Sequence, residues 1–223
     1  IDYAIILSNL GNLLQDMARY NEAKEVYRQS LHIFDTQHKK PEYDTFQHLT
    51  VISNYADVFV AIGDYSVAEY LLKERVLADI PKGKEFNNKA SVLNNLGVLY
   101  LQTNRLEGAE RYLRESLDLK RKAFGENHPK YLSTLSYLAN VYLMRKDYVT
   151  AEKLYKQILK QTKKTLSEKN ALYLNTLNSL AELYYETSRN SEAESMYLKL
   201  LELSKENKDT RQNEYASYLY NIG

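Results

Sequence analysis

The sequence predicts an all-α solenoid built from helical hairpins, and three observations predict it. The chain repeats: the small residues Gly11, Ala56, Gly97, Ala139, Ala181 and Gly223, each following an apolar residue, are spaced by 45, 41, 42, 42 and 42. In each of the five complete copies another small residue, Ala23, Ala68, Ala109, Ala151 or Ala193, follows at a constant distance of 12. Glycine (7) and proline (3) are scarce among the 223 residues, so long helices run with few interruptions. A fixed spacing inside a repeating unit marks an array in which each unit stacks on its neighbours.

Each element follows from the pattern inside the unit. With the first small residue placed at position 8, position 4 holds Leu7, Ile52, Leu93, Leu135 and Leu177. Position 7 holds Leu10, Tyr55, Leu96, Leu138 and Leu180, and position 11 holds Leu14, Phe59, Tyr100, Tyr142 and Tyr184. Positions 4, 7, 8 and 11 fall on one stripe of a 3.6-residue helix. First helices are therefore expected over about 3–17, 46–62, 88–102, 130–144 and 172–187. The small residue at 8 lets a second helix approach. That helix carries alanine at position 20 and Tyr27, Leu72, Leu113, Tyr155 or Tyr197 at position 24. Second helices are expected over about 21–37, 65–79, 106–123, 148–164 and 191–206. Turn-like stretches such as Gly63-Asp64-Tyr65 and Arg145-Lys146-Asp147 separate the two helices. Arg75 occupies position 27, where a small or apolar residue belongs, so the second unit is expected to pack irregularly.

This pattern resembles the tetratricopeptide repeat over essentially the whole chain. Leu93 to Tyr100 with Ala109-Glu110, and Leu135 to Tyr142 with Ala151, Glu152 and Tyr155, carry the likeness best. A unit of about 42 is eight longer than the usual 34 and resembles the kinesin light chain variety. The linker Ala123-Phe124-Gly125-Glu126-Asn127-His128-Pro129 matches that variety. The linkers at His38 to Pro41, Pro81 to Lys84 and Leu166 to Lys169 depart from it. The unit is also similar to those of bacterial repeat proteins, including ones fused to CHAT-type peptidases.

The resemblance implies a right-handed α-α superhelix of five units plus the first helix of a sixth. Residues 1–223 then form one repeat domain of a longer protein, with units at about 3–45, 46–87, 88–129, 130–171 and 172–211 and a partial one at 212–223. It implies a non-catalytic scaffold whose concave groove, lined by the first helices, binds a protein or peptide segment. The alternative is a regulatory or sensor segment of a larger enzyme, for example a CHAT-type peptidase, its groove engaging another part of the same chain or an activating partner.

Positions 2, 5, 9 and 12, flanked by 6 and 13, face away from the packing stripe and give the candidate site. They supply Asn9, Asn12, Asn54, Asp57, Asn94, Asn95, Val98, Leu101, Ser136, Tyr137, Asn140, Asn178, Glu182 and Tyr185. Asparagine is a poor helix former, yet its amide both donates and accepts. A ladder of asparagines suits the backbone of an extended peptide. The same residues at positions 5 and 6 also suit bracing between neighbouring repeats. Near the middle the rows turn apolar at Val98, Leu101, Tyr137, Leu143, Met144 and Tyr185, as an anchor pocket requires. No lysine or arginine lies on these rows, whereas Asp16, Asp57, Glu182 and Glu186 do. The expected ligand is thus neutral or mildly basic.

Other classes find no support in the sequence. With 30 basic and 29 acidic residues no basic face is implied, so nucleic acid is not an expected partner; no apolar run approaches the roughly 20 residues of a membrane span, so neither is a membrane. There is no cysteine, and His32, His38, His48 and His128 lack metal-ligand spacing; no metal, cofactor or catalytic residue is expected. His128, before Pro129, is expected to cap or pack in its linker. The absence of cysteine and of a signal peptide fits a cytoplasmic setting. Weak self-association is expected through the last helix, whose Tyr215, Leu219 and Ile222 pack back on the fifth unit.

Overall fold

The computed structural model describes residues 2–37, 44–78 and 89–205. Five helical hairpins account for them. They pair α1 (Asp2–Asp16) with α2 (Tyr20–Gln37), and α3 (Thr45–Ala61) with α4 (Tyr65–Tyr70) and the π-helical Leu71–Leu77. The others are α5 (Lys89–Gln102) with α6 (Leu106–Phe124), α7 (Pro129–Met144) with α8 (Tyr148–Thr165), and α9 (Ala171–Glu186) with α10 (Asn190–Lys205). No strand occurs among the described residues. Helix ends fall within about two residues of those the repeat pattern predicts wherever both are described. The expected helix at 212–223, with Tyr215, Leu219 and Ile222, lies outside the described residues, as do the linkers at His38 to Pro41 and Pro81 to Lys84.

The chain forms two compact units, residues 1–112 and 113–223, with the division inside α6. In the first, Ala4, Leu14, Ala23, Tyr27, Phe34, Val51 and Val58 form one buried cluster. In the second, Ala139, Ala151, Tyr155, Leu177, Leu180, Ala181, Leu183 and Leu200 belong to another. The alanines at position 20 are all buried, which sets how near the two helices of a hairpin approach. At position 8, a Cβ added to Gly11 would stand 2.7 Å from the Tyr27 ring. Glycine there lets an aromatic residue lie flat on the first helix, a burial contributing roughly 1.5–3 kcal/mol.

The turn inside each hairpin has one solution, used five times. Position 15 is left-handed in every copy: Ala18 (φ 56°), Gly63 (81°), Asn104 (57°), Lys146 (61°) and Ser188 (59°). The next amide reaches back five residues, as in Arg105 N–H to Tyr100 C=O and Arg189 N–H to Tyr184 C=O, both 2.8 Å. This is a Schellman closure, which satisfies carbonyls that the helix end would leave bare. Asp64 and Asp147 then cap the next helix through the amides of Val67 and Thr150. His128 does cap its linker: Nδ1 accepts from Lys130 N–H at 3.1 Å while the ring stacks on Phe124.

The irregularity expected at Arg75 takes the form of the π turn, Leu71–Leu77. Elsewhere position 27 holds Ser30, Ser116, Ile158 and Leu200, all fully buried. A guanidinium in that slot would lose its water without a matching partner, which is costly. Widening the helix by one residue per turn buries Val76 instead and leaves Arg75 partly exposed, its Nη2 3.5 Å from Asp35 Oδ1.

Candidate functional site

The polar rows of the first helices are first of all a brace. In the first unit, position 6 of one repeat donates to position 9 of the repeat before it. Asn54 Nδ2 donates to Asn12 Oδ1 at 3.0 Å, and Asn95 Nδ2 to Asp57 Oδ1 at 2.9 Å. The same Asn12 oxygen accepts the Tyr27 hydroxyl proton at 2.5 Å. In the second unit the Tyr155 hydroxyl donates to Asn140 Oδ1 at 2.6 Å, and Asn178 Nδ2 to Glu182 Oε1 at 2.7 Å. The tyrosine at position 24 and the asparagine at position 9 thus lock the two helices of a hairpin. Each amide is only partly spent: Asn54 and Asn95 use one amide hydrogen in the brace, and an asparagine carries two as well as an acceptor oxygen.

Burial changes the charge of these rows. It lifts the Asp57 carboxyl to about 7, the hydrogen bond from Asn95 offsetting only part of the effect. Burial likewise raises Glu182. Two of the four acids read from the sequence therefore hold their protons more firmly than free carboxylates.

The remaining candidates are displayed to different extents. In the first unit Asn9 is exposed, Asn94 and Val98 are half-buried, and Leu101 is buried. In the second unit Ser136, Tyr137 and Leu143 are half-buried, whereas Met144 and Tyr185 are 47% and 65% exposed. The exposed apolar positions fit a contact surface better than the Leu101 side chain does.

A second network, absent from the sequence reading, ties successive repeats in both units. The Glu69 carboxylate accepts from the Tyr100 hydroxyl at 2.5 Å, Arg105 Nη1 at 2.6 Å and Lys73 Nζ at 3.1 Å. Two repeats on, Glu152 accepts from the Tyr184 hydroxyl at 3.1 Å, Arg189 Nη1 at 2.6 Å and Lys156 Nζ at 2.6 Å. Each arginine also lies over its tyrosine ring, at 3.8 Å for Arg105 and 4.1 Å for Arg189. Arg189, then Lys156 and Tyr184, hold Glu152 down to about 2 against the opposing effect of burial. The signal was present in the repeats. Position 21 is glutamate where the next position 11 is tyrosine, and Lys24 precedes Phe59, over whose ring it sits at 4.9 Å.

No group of three or more His, Cys, Asp or Glu able to hold a metal ion occurs among the described residues. Nor is any described helix long and apolar enough to cross a membrane.

Comparison with known proteins supports the repeat pattern independently. Residues 88–164 and 132–206 match one tetratricopeptide repeat model, and residues 4–34 match another. No curated protein matches the chain. Among solved structures, BtubC (BKLC) from P. vanneervenii is similar at a TM-score of 0.72 and 19% identity, over 94% of this chain and 81% of that one. Nearly identical TPR-like repeats from a Podosopora anserina protein described as a kinesin light chain give 0.68 and 19%, over 92% and 96%. NprR in complex with its cognate peptide NprX gives 0.71 and 16%, over 100% of this chain and 61% of that one. At these identities the likeness is one of fold.

Proposed function

The chain belongs to the tetratricopeptide repeat family, and from that premise we propose that it is a non-catalytic scaffold. It holds a protein or peptide segment against the outward rows of its first helices. The observation that carries this reading is the mixture on those rows. The rows of the first unit carry amides with hydrogen-bonding capacity beyond the brace, and those of the second unit carry exposed apolar side chains such as Met144 and Tyr185. NprR, of the same fold, holds a peptide, which supports the choice of ligand class. The ligand is neutral or mildly basic, because no lysine or arginine occupies these rows and two of their acids are held toward neutrality by burial. The binding set is Asn9, Asn12, Asn54, Asp57, Asn94, Asn95, Val98, Ser136, Tyr137, Asn140, Asn178, Glu182 and Tyr185, with Leu101 beneath it.

The test is selection from a random peptide library displayed on phage, followed by titration of the enriched peptides. Variants should spare the brace, so Asn9→Ala and Tyr185→Ala are the informative ones. Enriched peptides are expected to be neutral or basic, and to bind Tyr185→Ala about tenfold or more weakly, as for an aromatic anchor. Enrichment of acidic peptides, or affinities unchanged in both variants, would place binding on another surface.

A further inference from the structure

The even balance of charge over the whole chain hides a local excess. Within α8, Lys153, Lys156, Lys160, Lys163 and Lys164 stand against a single acid, Glu152. Other second helices mix the two signs, as α6 does with Glu107, Glu110, Glu115 and Asp118 among its basic residues. The α8 lysines fall three, four and then three or four residues apart, which puts them on one helical face. From Lys153 to Lys164 that face runs about 16 Å. All five are exposed. Val149, 82% exposed, stands at the start of the same face. Ala151, Tyr155, Ile158 and Thr162 lie on the opposite face and are buried, on the side where α8 packs against α7 and α9. Two of the lysines are engaged within the protein: Lys156 pairs with Glu152 at 2.6 Å and Lys163 with Glu168 at 2.7 Å. Lys153, Lys160 and Lys164 form no ion pair with any described residue. Lys156, Lys160 and Lys164 follow one another at intervals of four, a spacing at which like charges repel and weaken a helix.

We propose that this lysine face of α8 is a docking surface for an acidic segment of a partner protein, separate in place and opposite in charge preference from the first-helix rows. Charge complementarity names the occupant. A row of unpaired ammonium groups repels itself until carboxylates are set along it, and an acidic polypeptide supplies them at a matching spacing. Nucleic acid fits less well. Arginine forks and stacking aromatic rings are the groups that grip phosphates and bases, and this face presents neither. The carboxylates of Glu152 and Glu168, beside Lys156 and Lys163, would also stand against a phosphate backbone. A membrane fits less well again. An interfacial helix needs an apolar face free to enter the bilayer, and that of α8 is already buried in the protein. Val149 gives the partner segment one apolar contact at the end of the row, which a phosphate backbone would leave unused.

The probe is a fluorescent peptide of about ten glutamates, which spans about 33 Å when extended and so covers the face. Anisotropy titration with the whole chain at about 0.05 M salt is expected to give saturable binding that weakens about tenfold at about 0.3 M, as exposed charges are screened. Lys153→Glu/Lys160→Glu/Lys164→Glu should weaken binding tenfold or more. Lys153→Gln/Lys160→Gln/Lys164→Gln removes the charges without reversing them and should weaken it several-fold with an unchanged circular dichroism melt, which keeps the test readable if the reversal unsettles the helix. Arg28→Glu/Arg111→Glu/Lys122→Glu changes the net charge as much as the α8 reversal does, at exposed positions on other helices, and should bind as the parent chain does. Tyr185→Ala should also leave binding unchanged, which separates this face from the first-helix rows. Absence of saturable binding, unchanged affinity in the glutamine variant, or equal losses in the two charge-reversed variants overturns the proposal. Tighter binding of a single-stranded oligonucleotide or of phosphatidylserine vesicles than of the peptide overturns it too. So does a dimer of the chain alone that the α8 reversal abolishes in sedimentation, because the occupant would then be a second copy.

Discussion

Replacing Asp57 with asparagine should make the protein more stable above neutral pH, and the molecule contains its own precedent. Position 9 is asparagine in the first and fourth repeats, as Asn12 and Asn140, and each offers Oδ1 to a hydroxyl or amide donor. Asp57 offers the same atom to Asn95 at 2.9 Å but carries a carboxyl that burial lifts to about 7. An unfolded aspartate titrates near 3.9. The folded state therefore binds the proton more tightly, and the sign follows. This group favours folding most fully below about pH 4, and that contribution is lost as pH rises to about 7. A shift of some three pH units corresponds to roughly 4 kcal/mol at full effect. Asp57 is mostly but not fully buried, and residual solvent screening reduces the expected gain in Asp57→Asn to about 1–3 kcal/mol at pH 8. The substitution keeps the acceptor and removes the charge. The assay is urea unfolding of both proteins by far-ultraviolet circular dichroism from pH 4 to pH 8.5. The stability difference should be near zero at pH 4, grow through pH 7 and then level off. A difference independent of pH, or a destabilised variant at pH 8, would refute the argument.

Two further outcomes follow from the same geometry. Glu152→Gln should cost about 1–2 kcal/mol at pH 7, because a carboxylate held near 2 by Arg189, Lys156 and Tyr184 contributes stability above about pH 4.5 and loses it as pH falls toward 2. The gap between the urea midpoints of the two proteins should narrow as pH falls from about 4.5 toward 2, and a penalty of undiminished size at about pH 2.5 would count against the ionic origin of the effect. Lys146→Gly should raise stability by about 1 kcal/mol, since Lys146 sits at φ 61° in the same turn that Gly63 makes at φ 81°. A thermal midpoint lower than that of the parent chain would show that the left-handed strain is absent.

The hairpins, their register and their ends were legible in the sequence because spacing alone decides them. Gly11 and the five alanines at position 20 fix which faces meet, and the helix bounds follow from the stripes they anchor. What the stripes did not disclose is how wide the buried face is. Positions 3 and 10 are among the most buried in the later repeats, as Val51, Val58, Leu99 and Leu183, yet they lie outside the 4, 7, 8 and 11 pattern. A first helix inside an array is packed by its own second helix on one side and by the preceding hairpin on another. A pattern that describes only the hairpin misses the second contact. Threonine at position 3 in the fourth and fifth repeats hides it further, because a buried Thr134 or Thr176 looks polar in a sequence. The Glu69 and Glu152 networks escaped for a related reason: their members come from different repeats, 27 to 37 residues apart.

The asparagines show where a sequence pattern stops discriminating between roles. Asn54 and Asn95 sit where a peptide-holding ladder requires them, and also where adjacent repeats need a donor for the residue at position 9. A helix surface tolerates such a poor helix former when its side chain finds a partner, and here it finds one inside the protein. The two roles draw on different atoms of one amide, so they coexist. A rigid row of amides also gives a ligand backbone a better template than mobile side chains do, because the ordering cost is met on folding rather than on binding. Loss of affinity in an Asn54→Ala or Asn95→Ala variant would therefore mix a lost ligand contact with a loosened repeat junction. Asn9 and Tyr185, exposed and outside the brace, are the positions at which binding is separable from folding.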